Sequence, residues 1–282
     1  MNLSKIRVLL FVVVVILLQG STTSNNGIKI IYIGNCGFLY EHLDKKVVID
    51  PFGSDYGDYF HLPSKETKMK IIKGELPFQN IDILLITHIH GDHFNSHLTE
   101  KFLLENPNTI IICPPQVKKQ MIDSCQNFKD IESQFVSPEI KIGEFFDTKV
   151  NDIYIKGIRM QHGTMRSLEG INYSEYTEYE KTENFGYVIK LGKKSIFHQG
   201  DACLKINKSA LETINHDIDV AHLSYFDWDT TSYNILKNKL HAKNIIFMHG
   251  TIPANEFEKD DLKSIMPQLI YFKQELDSIT LN

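Results

Sequence analysis

The feature that most constrains this chain is an apolar run that leads directly into a cluster of histidines. Residues 83–86 read Ile-Leu-Leu-Ile, a pattern that predicts a strand buried on both faces. The next residues present three imidazoles and one carboxylate: His88, His90, Asp92 and His93. Neutral imidazole and carboxylate are side chains that bind borderline divalent metals such as zinc. A tight loop can aim alternate side chains at two neighbouring points, so the segment predicts a two-metal hydrolytic site.

The segment from Thr87 to His93 resembles the signature of the metallo-β-lactamase-fold hydrolase superfamily. This resemblance implies an α/β layered architecture, the αββα four-layer sandwich, with a dinuclear metal site at one edge. It also implies three further ligands downstream, which are a histidine, an aspartate and a last histidine in that order. His162, Asp201 and His249 match this order, and each follows an apolar run that predicts a strand.

The resemblance divides the seven ligands between two ions. The first ligand set is His88, His90 and His162, the second ligand set is Asp92, His93 and His249, and Asp201 would bridge the two ions. Zinc suits these ligands best, and manganese or iron would also fit the mixed set.

The run of residues 34–52 resembles the opening of one branch of the superfamily. That branch includes ascorbate-6-phosphate lactonase-like and N-acylphosphatidylethanolamine phospholipase D-like proteins. A histidine often follows the first glycine in the branch, whereas this chain has Asn35 there. Asp50, at a predicted strand end, has two interpretations: a carboxylate that orients a metal-bound histidine, or a hydrogen-bond acceptor in a turn.

The expected chemistry follows from the metals. A bound divalent ion lowers the pKa of water from 15.7 towards about 7 and so supplies a nucleophile at neutral pH. Asp92 is expected to bind metal and also to pass a proton to the leaving group. The expected reaction is hydrolysis of a small ester, lactone or phosphodiester. The alternatives are a metal-retaining binding or sensing protein without turnover, and a β-lactam hydrolase.

The N-terminus predicts export. Lys5 and Arg7 precede an apolar run over residues 8–18, and small and polar residues follow it up to Ser24. This pattern is typical of a secretory signal peptide, so we expect residues 1–24 to be removed and residues 25–282 to form one hydrolase domain. The product would be periplasmic or secreted. An uncleaved membrane anchor is the alternative, although the run is short for a membrane span.

The charge balance limits the class of partner. The net charge of −5 becomes −7 once Lys5 and Arg7 are removed. Nucleic-acid binding requires a basic face, so we expect a small-molecule substrate and no nucleic-acid partner. No stable membrane insertion is expected after cleavage, and the sequence leaves the oligomeric state open.

The cysteines form no Cys-x-x-Cys pair; they are Cys36, Cys113, Cys125 and Cys203. In an exported protein Cys113 and Cys125 either form a disulfide or stay as separate buried thiols. Cys203 is expected to be a buried structural thiol.

The pattern also gives expectations for the longer connections. Residues 53–77 predict an irregular loop, and residues 256–276 predict a helical ending. The segment 167–184, rich in tyrosine and glutamate, predicts an insertion near the active-site edge. Its tyrosines either line a substrate pocket or belong to a solvated loop.

Overall fold

Two seven-stranded sheets form the centre of the structure. It is a computed structural model, and it describes residues 27–54, 60–163, 181–224, 227, 229–250, 266 and 269–282. The strands, in chain order, are β1 (Ile28–Gly34), β2 (Gly37–His42), β3 (Lys45–Ile49), β4 (Ile83–Leu85), β5 (Ile110–Ile112), β6 (Phe135–Val136), β7 (Phe145–Val150), β8 (Ile153–Gln161), β9 (Glu183–Leu191), β10 (Lys194–His198), β11 (Val220–Ser224), β12 (Asn244–Met248), β13 (Leu269–Ile270) and β14 (Ser278–Leu281).

The two sheets repeat one pattern. The first has the order β14-β1-β2-β3-β4-β5-β6 and the second has the order β13-β12-β11-β10-β9-β8-β7. In each, one half is antiparallel and the other half, β3 to β6 or β10 to β13, is parallel. The two sheets therefore have the same arrangement of antiparallel and parallel strands.

Helices cover the outer faces of both sheets. They are α1 (Lys65–Ile72), α2 (Ser96–Glu105), α3 (Pro115–Ser124), α4 (Phe128–Ile131), α5 (Lys208–Leu211) and α6 (Thr230–Asn234), which continues as a π-helical turn over Ile235–Lys239. Side chains alternate along β1: Ile30 packs between the sheets, whereas Ile31 packs towards the helices. One apolar cluster lies between the sheets and one lies under each helical layer, as in the predicted αββα sandwich.

The predicted irregular loop over residues 53–77 is wrong in its second half, because α1 forms there. Ser64 caps this helix, and its Oγ accepts a hydrogen bond from the Thr67 backbone N–H at 3.1 Å. The sequence signal is weak because the helix is short and its buried apolar side chains, Ile71 and Ile72, are adjacent at its end. Residues 55–59 lie outside the described part of the chain.

The helical ending predicted for residues 256–276 is wrong at Leu269–Ile270, which form β13 beside β12. Strand β14 follows and completes the first sheet by pairing with β1, with Ile28 opposite Leu281. Pairing across most of the sequence decides this structure, so local pattern does not reveal it. Residues 256–265, 267 and 268 of the predicted helix lie outside the described residues.

Two further predictions fall largely outside the described residues. The signal peptide, residues 1–24, is one of them. The insertion at residues 167–184 is the other, except that its last residues, Glu183 and Asn184, belong to β9. In the described ranges no helix is long and apolar enough to cross a bilayer.

Tyr187 links the two sheets beside the histidine cluster. Its hydroxyl lies 2.9 Å from the Ile86 carbonyl and 3.0 Å from the Ile112 carbonyl, and it is fully buried. We expect Tyr187→Phe to lower the free energy of unfolding by about 1–2 kcal/mol, because both carbonyls lose their shared donor. Urea unfolding measures this. The control is Tyr154→Phe on an exposed face, expected to change stability by less than about 0.5 kcal/mol. Equal effects of the two substitutions would contradict the role of the buried hydroxyl.

Candidate metal centre

The strand directions bring the predicted ligands to one edge of the sandwich. The histidine cluster follows β4, His162 follows β8, Asp201 follows β10 and His249 follows β12. Strands β8, β10 and β12 run in one direction, because two antiparallel pairings separate β8 from β10 and two parallel pairings separate β10 from β12. Their carboxyl ends therefore meet at the same edge.

The first ligand set is close-packed around Asp201. The His88 Nε2 atom lies 3.1 Å from His90 Nδ1 and 3.3 Å from His162 Nε2. The Asp201 Oδ2 atom lies 3.8 Å from His88 Nε2 and 3.6 Å from His162 Nε2. These three imidazoles and the carboxylate thus face one point.

The second ligand set meets the same carboxylate. The Asp92 Oδ2 atom lies 3.0 Å from His249 Nε2 and 3.4 Å from His93 Nε2. Asp201 Oδ1 lies 3.2 Å from His93 Nε2, and Asp201 Oδ2 lies 3.2 Å from His249 Nε2. All seven predicted side chains are therefore together, with Asp201 between the two sets.

The geometry fits divalent cations. Ligands about 2.0–2.2 Å from one zinc ion lie about 3.3–3.6 Å apart around a tetrahedron, close to the separations in both sets. Among the described residues, the buried atoms His93 Nε2 and Asp201 Oδ1 have no hydrogen-bond partner. Buried polar atoms are rarely left so, and a cation between them would satisfy both.

The protonation states of the first ligand set and of Asp201 suit metal binding. Burial, with the neighbouring His93, lowers the pKa of His88 well below its ordinary value, and burial lowers the pKa of His162 to about 4. Both imidazoles are therefore neutral at pH 7, the form that binds metal. Burial disfavours ionisation of Asp201, but His249 and His93 outweigh it and hold the pKa of its carboxyl well below the usual range.

Asp50 orients His93. Its Oδ2 atom lies 2.8 Å from His93 Nδ1 and accepts a hydrogen bond from Thr87 Oγ1 at 2.6 Å, while Oδ1 accepts from the Thr87 backbone N–H at 2.8 Å. These partners lie 37 and 43 residues away in sequence, so Asp50 does not act as a local turn acceptor. Of its two interpretations, the structure favours the carboxylate that orients a ligand histidine.

Asn35 is a supporting residue to which the sequence assigned no role. Its Nδ2 donates to the backbone carbonyl and to Oδ2 of Asp92, each at 3.2 Å, and the His249 backbone N–H points to the Asn35 carbonyl at 3.4 Å. Its φ of 49° is a left-handed conformation that asparagine tolerates. The residue that departs from the branch pattern therefore braces two ligands of the second set.

The cysteines are separate thiols in the structure, including Cys113 and Cys125. Cys203 is buried, as expected. Cys36 is the unexpected one, because its thiol lies beside the second ligand set. His97 is exposed on α2 and belongs to neither ligand set.

Asp227 supports the turn that carries Asp201. Its Oδ2 accepts hydrogen bonds from Gln199 Nε2 at 2.7 Å and from the Leu204 backbone N–H at 2.9 Å. Its Oδ1 accepts from Ser232 Oγ at 2.8 Å. Burial raises the pKa of Asp227 to about 6 despite these donors. The residue stabilises the turn but does not itself reach the ligands.

We expect Asp227→Asn to change how stability depends on pH. A carboxyl whose pKa is raised on folding stabilises the folded state most below about pH 4, and this contribution is lost as pH rises through about 6. The variant has no such carboxyl. Its free energy of unfolding should therefore rise by up to roughly 3 kcal/mol relative to that of the wild type as pH increases from about 4 to about 6. Its amide can still accept from Leu204 and donate to Ser232.

Urea unfolding of both proteins from about pH 4 to about pH 7, in the presence of chelator, measures this difference. The chelator removes any contribution from metal binding. A difference that stays constant with pH would contradict the raised pKa.

Comparison with known proteins agrees with the geometry. The sequence profile of a family described as "Beta-lactamase superfamily domain" matches residues 29–249. A metal-dependent hydrolase of Pyrococcus furiosus is 23% identical over 244 residues, covering 85% of this chain and 92% of the relative. A metal-dependent hydrolase of Bacillus velezensis is 24% identical over 250 residues, with coverage of 85% and 92%.

A solved structure shows the same fold. Igni18, a metallo hydrolase of Ignicoccus hospitalis, superposes with a TM-score of 0.58 at 17% identity, covering 91% of this chain and 99% of that one. The family match spans most of the chain and contains all seven clustered side chains. The chain therefore belongs to the β-lactamase superfamily and is a metal-dependent hydrolase with the metallo-β-lactamase fold.

Proposed function

We propose that this protein is an exported hydrolase that uses two divalent ions, with zinc as the preferred metal, to cleave a small ester, lactone or phosphodiester. The observation that carries the proposal is the position of Asp201, which has ligand-forming nitrogens of both sets within 3.8 Å of its carboxylate. An arrangement with one carboxylate between two histidine-rich sets is suited to two ions close together.

The bound ions would be held by the two ligand sets with Asp201 between them. When bound, they would supply an activated water at neutral pH and polarise the substrate oxygen under attack. Imidazoles bind as neutral groups, so the two carboxylates Asp92 and Asp201 leave a net charge of about +2 on two divalent ions. This excess positive charge favours substrates that develop negative charge on oxygen, as esters, lactones and phosphodiesters all do.

In the proposed mechanism Asp92 also transfers a proton. The Asn35 amide donates to its Oδ2, and His93 and His249 outweigh the effect of burial and lower the pKa of its carboxyl. Asp92 thus stays ionised and can receive a proton and pass it to the leaving group. Asp92→Asn should keep its position and lose this transfer. A variant that retained both metals and full turnover would contradict the role.

The solvent side of the site is at His90 and Phe60. Both are partly exposed, whereas His88, His93 and His249 are buried. The Phe60 ring packs on His249 with a centroid separation of 4.5 Å. A small substrate would therefore approach past His90, with an apolar surface from Phe60 on the side of His249.

The test combines elemental analysis of the purified protein with turnover of an aryl phosphodiester, a lactone, a thioester and a chromogenic β-lactam. We expect two equivalents of zinc and turnover of one oxygen-ester class, both lost in His88→Ala. His241→Asn, at the exposed turn before β12 and so at the other end of that strand from His249, is the matched control and should retain both. Absence of metal after zinc-supplemented expression would contradict the proposal, and two metals without turnover would favour the binding or sensing alternative.

Export has a separate test. Expression of the full chain in a bacterial host, followed by fractionation and N-terminal sequencing, should give a periplasmic or secreted product that begins near residue 25. A product that keeps residue 1 and stays in the membrane fraction would support the uncleaved anchor instead.

A further inference from the structure

Cys36 lies at the base of the second ligand set. It occupies the turn between β1 and β2 and is fully buried. Its Sγ and one donor atom from each of His93, Asp201 and His249 all lie within 4.8 Å of one another. His90 and Phe60, on the solvent side of the site, are partly exposed, whereas Cys36 is fully buried, so the thiol reaches the second set from the protein interior.

A second observation points to an ion at this position. Within the described part of the chain, His93 Nε2 and Asp201 Oδ1 are buried and lie only 3.2 Å apart, but neither atom forms a hydrogen bond of normal geometry, with the other or with a third group. Their side chains are 0% and 3% exposed. Two buried donor atoms that face each other in this way are arranged for a cation, and the Cys36 thiol is near both.

The turn that carries Cys36 is fixed from both sides. On one side the His198 Nε2–H donates to the Cys36 carbonyl at 3.0 Å, while His198 Nδ1 accepts from the Gly200 backbone N–H at 3.2 Å. This neutral tautomer ties the Cys36 turn to the turn that carries Asp201. On the other side, Asn35 donates to Asp92. Cys36 is therefore held in position relative to both carboxylates.

We propose that Cys36 supplies a thiolate ligand to the ion held by Asp92, His93 and His249. This inference rests on the proposed dinuclear metal centre. The thiol proton is released to solvent as the sulfur–metal bond forms, so the ion binds with loss of one more proton than the histidines and carboxylates release. Thiolate is a soft ligand and favours zinc, cobalt and cadmium over manganese. The two positions of the centre would then differ in ligand chemistry and in metal preference.

Cobalt(II) substitution of the full-length protein tests the proposal, because thiolate bound to cobalt gives a near-ultraviolet charge-transfer band. We expect the band in wild type and in Cys203→Ser, a matched control with a buried thiol two residues after Asp201. Cys36→Ser should lose the band, keep the visible cobalt bands and bind its second cobalt at least about tenfold more weakly.

X-ray absorption of the zinc-loaded wild-type protein gives a measurement that needs no variant. We expect one sulfur scatterer per two zinc ions at about 2.3 Å. Cobalt or zinc bound without any sulfur signal would overturn the role of Cys36 while the metal centre stands. A band that persists in Cys36→Ser would overturn it too. Failure of the wild-type chain to bind cobalt or zinc at all would overturn the proposed metal centre itself.

Discussion

Asp201→Ala should lower turnover by more than about 100-fold and reduce bound metal from two ions to one or none. The reason is that the two oxygens of this carboxylate lie within 3.8 Å of nitrogens from both ligand sets, which no other carboxylate among the described residues does. Turnover of whichever substrate of the panel is cleaved, and elemental analysis after gel filtration, measure the two effects.

Two companion variants make this experiment specific. Asp201→Asn keeps the shape of the side chain and removes its charge, so it should lose activity to a similar extent without a change in secondary structure. Asp217→Ala removes an exposed carboxylate and should leave activity and metal content unchanged. If Asp201→Ala retained two ions and wild-type turnover, the bridging position would be wrong.

Asp50→Asn should weaken metal binding by about 10- to 100-fold, with the larger effect on the second ligand set. The amide retains one oxygen for the Thr87 backbone N–H, but it places N–H groups where Oδ2 now faces His93 Nδ1 and Thr87 Oγ1. His93 then loses the acceptor that orients its ring. Titration of metal against a chelator of known affinity measures the loss at each position.

Asp219→Asn is the matched control for Asp50→Asn. Asp219 is also a buried carboxylate that accepts from a backbone N–H, that of Ser195. Its other partners are Lys243 and Lys194, and none of the three is a predicted ligand. This substitution should lower stability and leave metal affinity unchanged. Equal metal affinity in Asp50→Asn and wild type would show that His93 does not depend on Asp50.

The ligand positions were predictable because each ligand follows an apolar strand, and such strands can be recognised from local pattern alone. The run before His88 and the runs before His162 and His249 are regular enough to place strands, and parallel strands bring their carboxyl ends together. Helices α2 and α3 also carry local signals, because Asn95 caps the first by accepting from the Leu98 backbone N–H and Pro115 begins the second.

The residues that support the ligands could be identified only from the tertiary structure. Strand β1 runs parallel to β3 and β4, since two antiparallel pairings separate it from β3, so the turn after Gly34 arrives at the metal edge. This direction depends on strand order, which local pattern does not give. Local pattern therefore did not indicate that Asn35 and Cys36 lie at the metal centre. The one indication was that Asn35 stands where the branch often has a histidine. Strand β14 could not be predicted either, because its partner β1 lies at the other end of the described chain.

The division of the ligands between the sheets has a mechanical consequence. The histidine cluster belongs to the first sheet, whereas His162, Asp201 and His249 belong to the second. Each ligand set takes members from both sheets, so each ion would act as a cross-link between them along one edge. Metal binding would then oppose separation of the sandwich into its halves, and resistance to proteolysis would rise with the supply of metal.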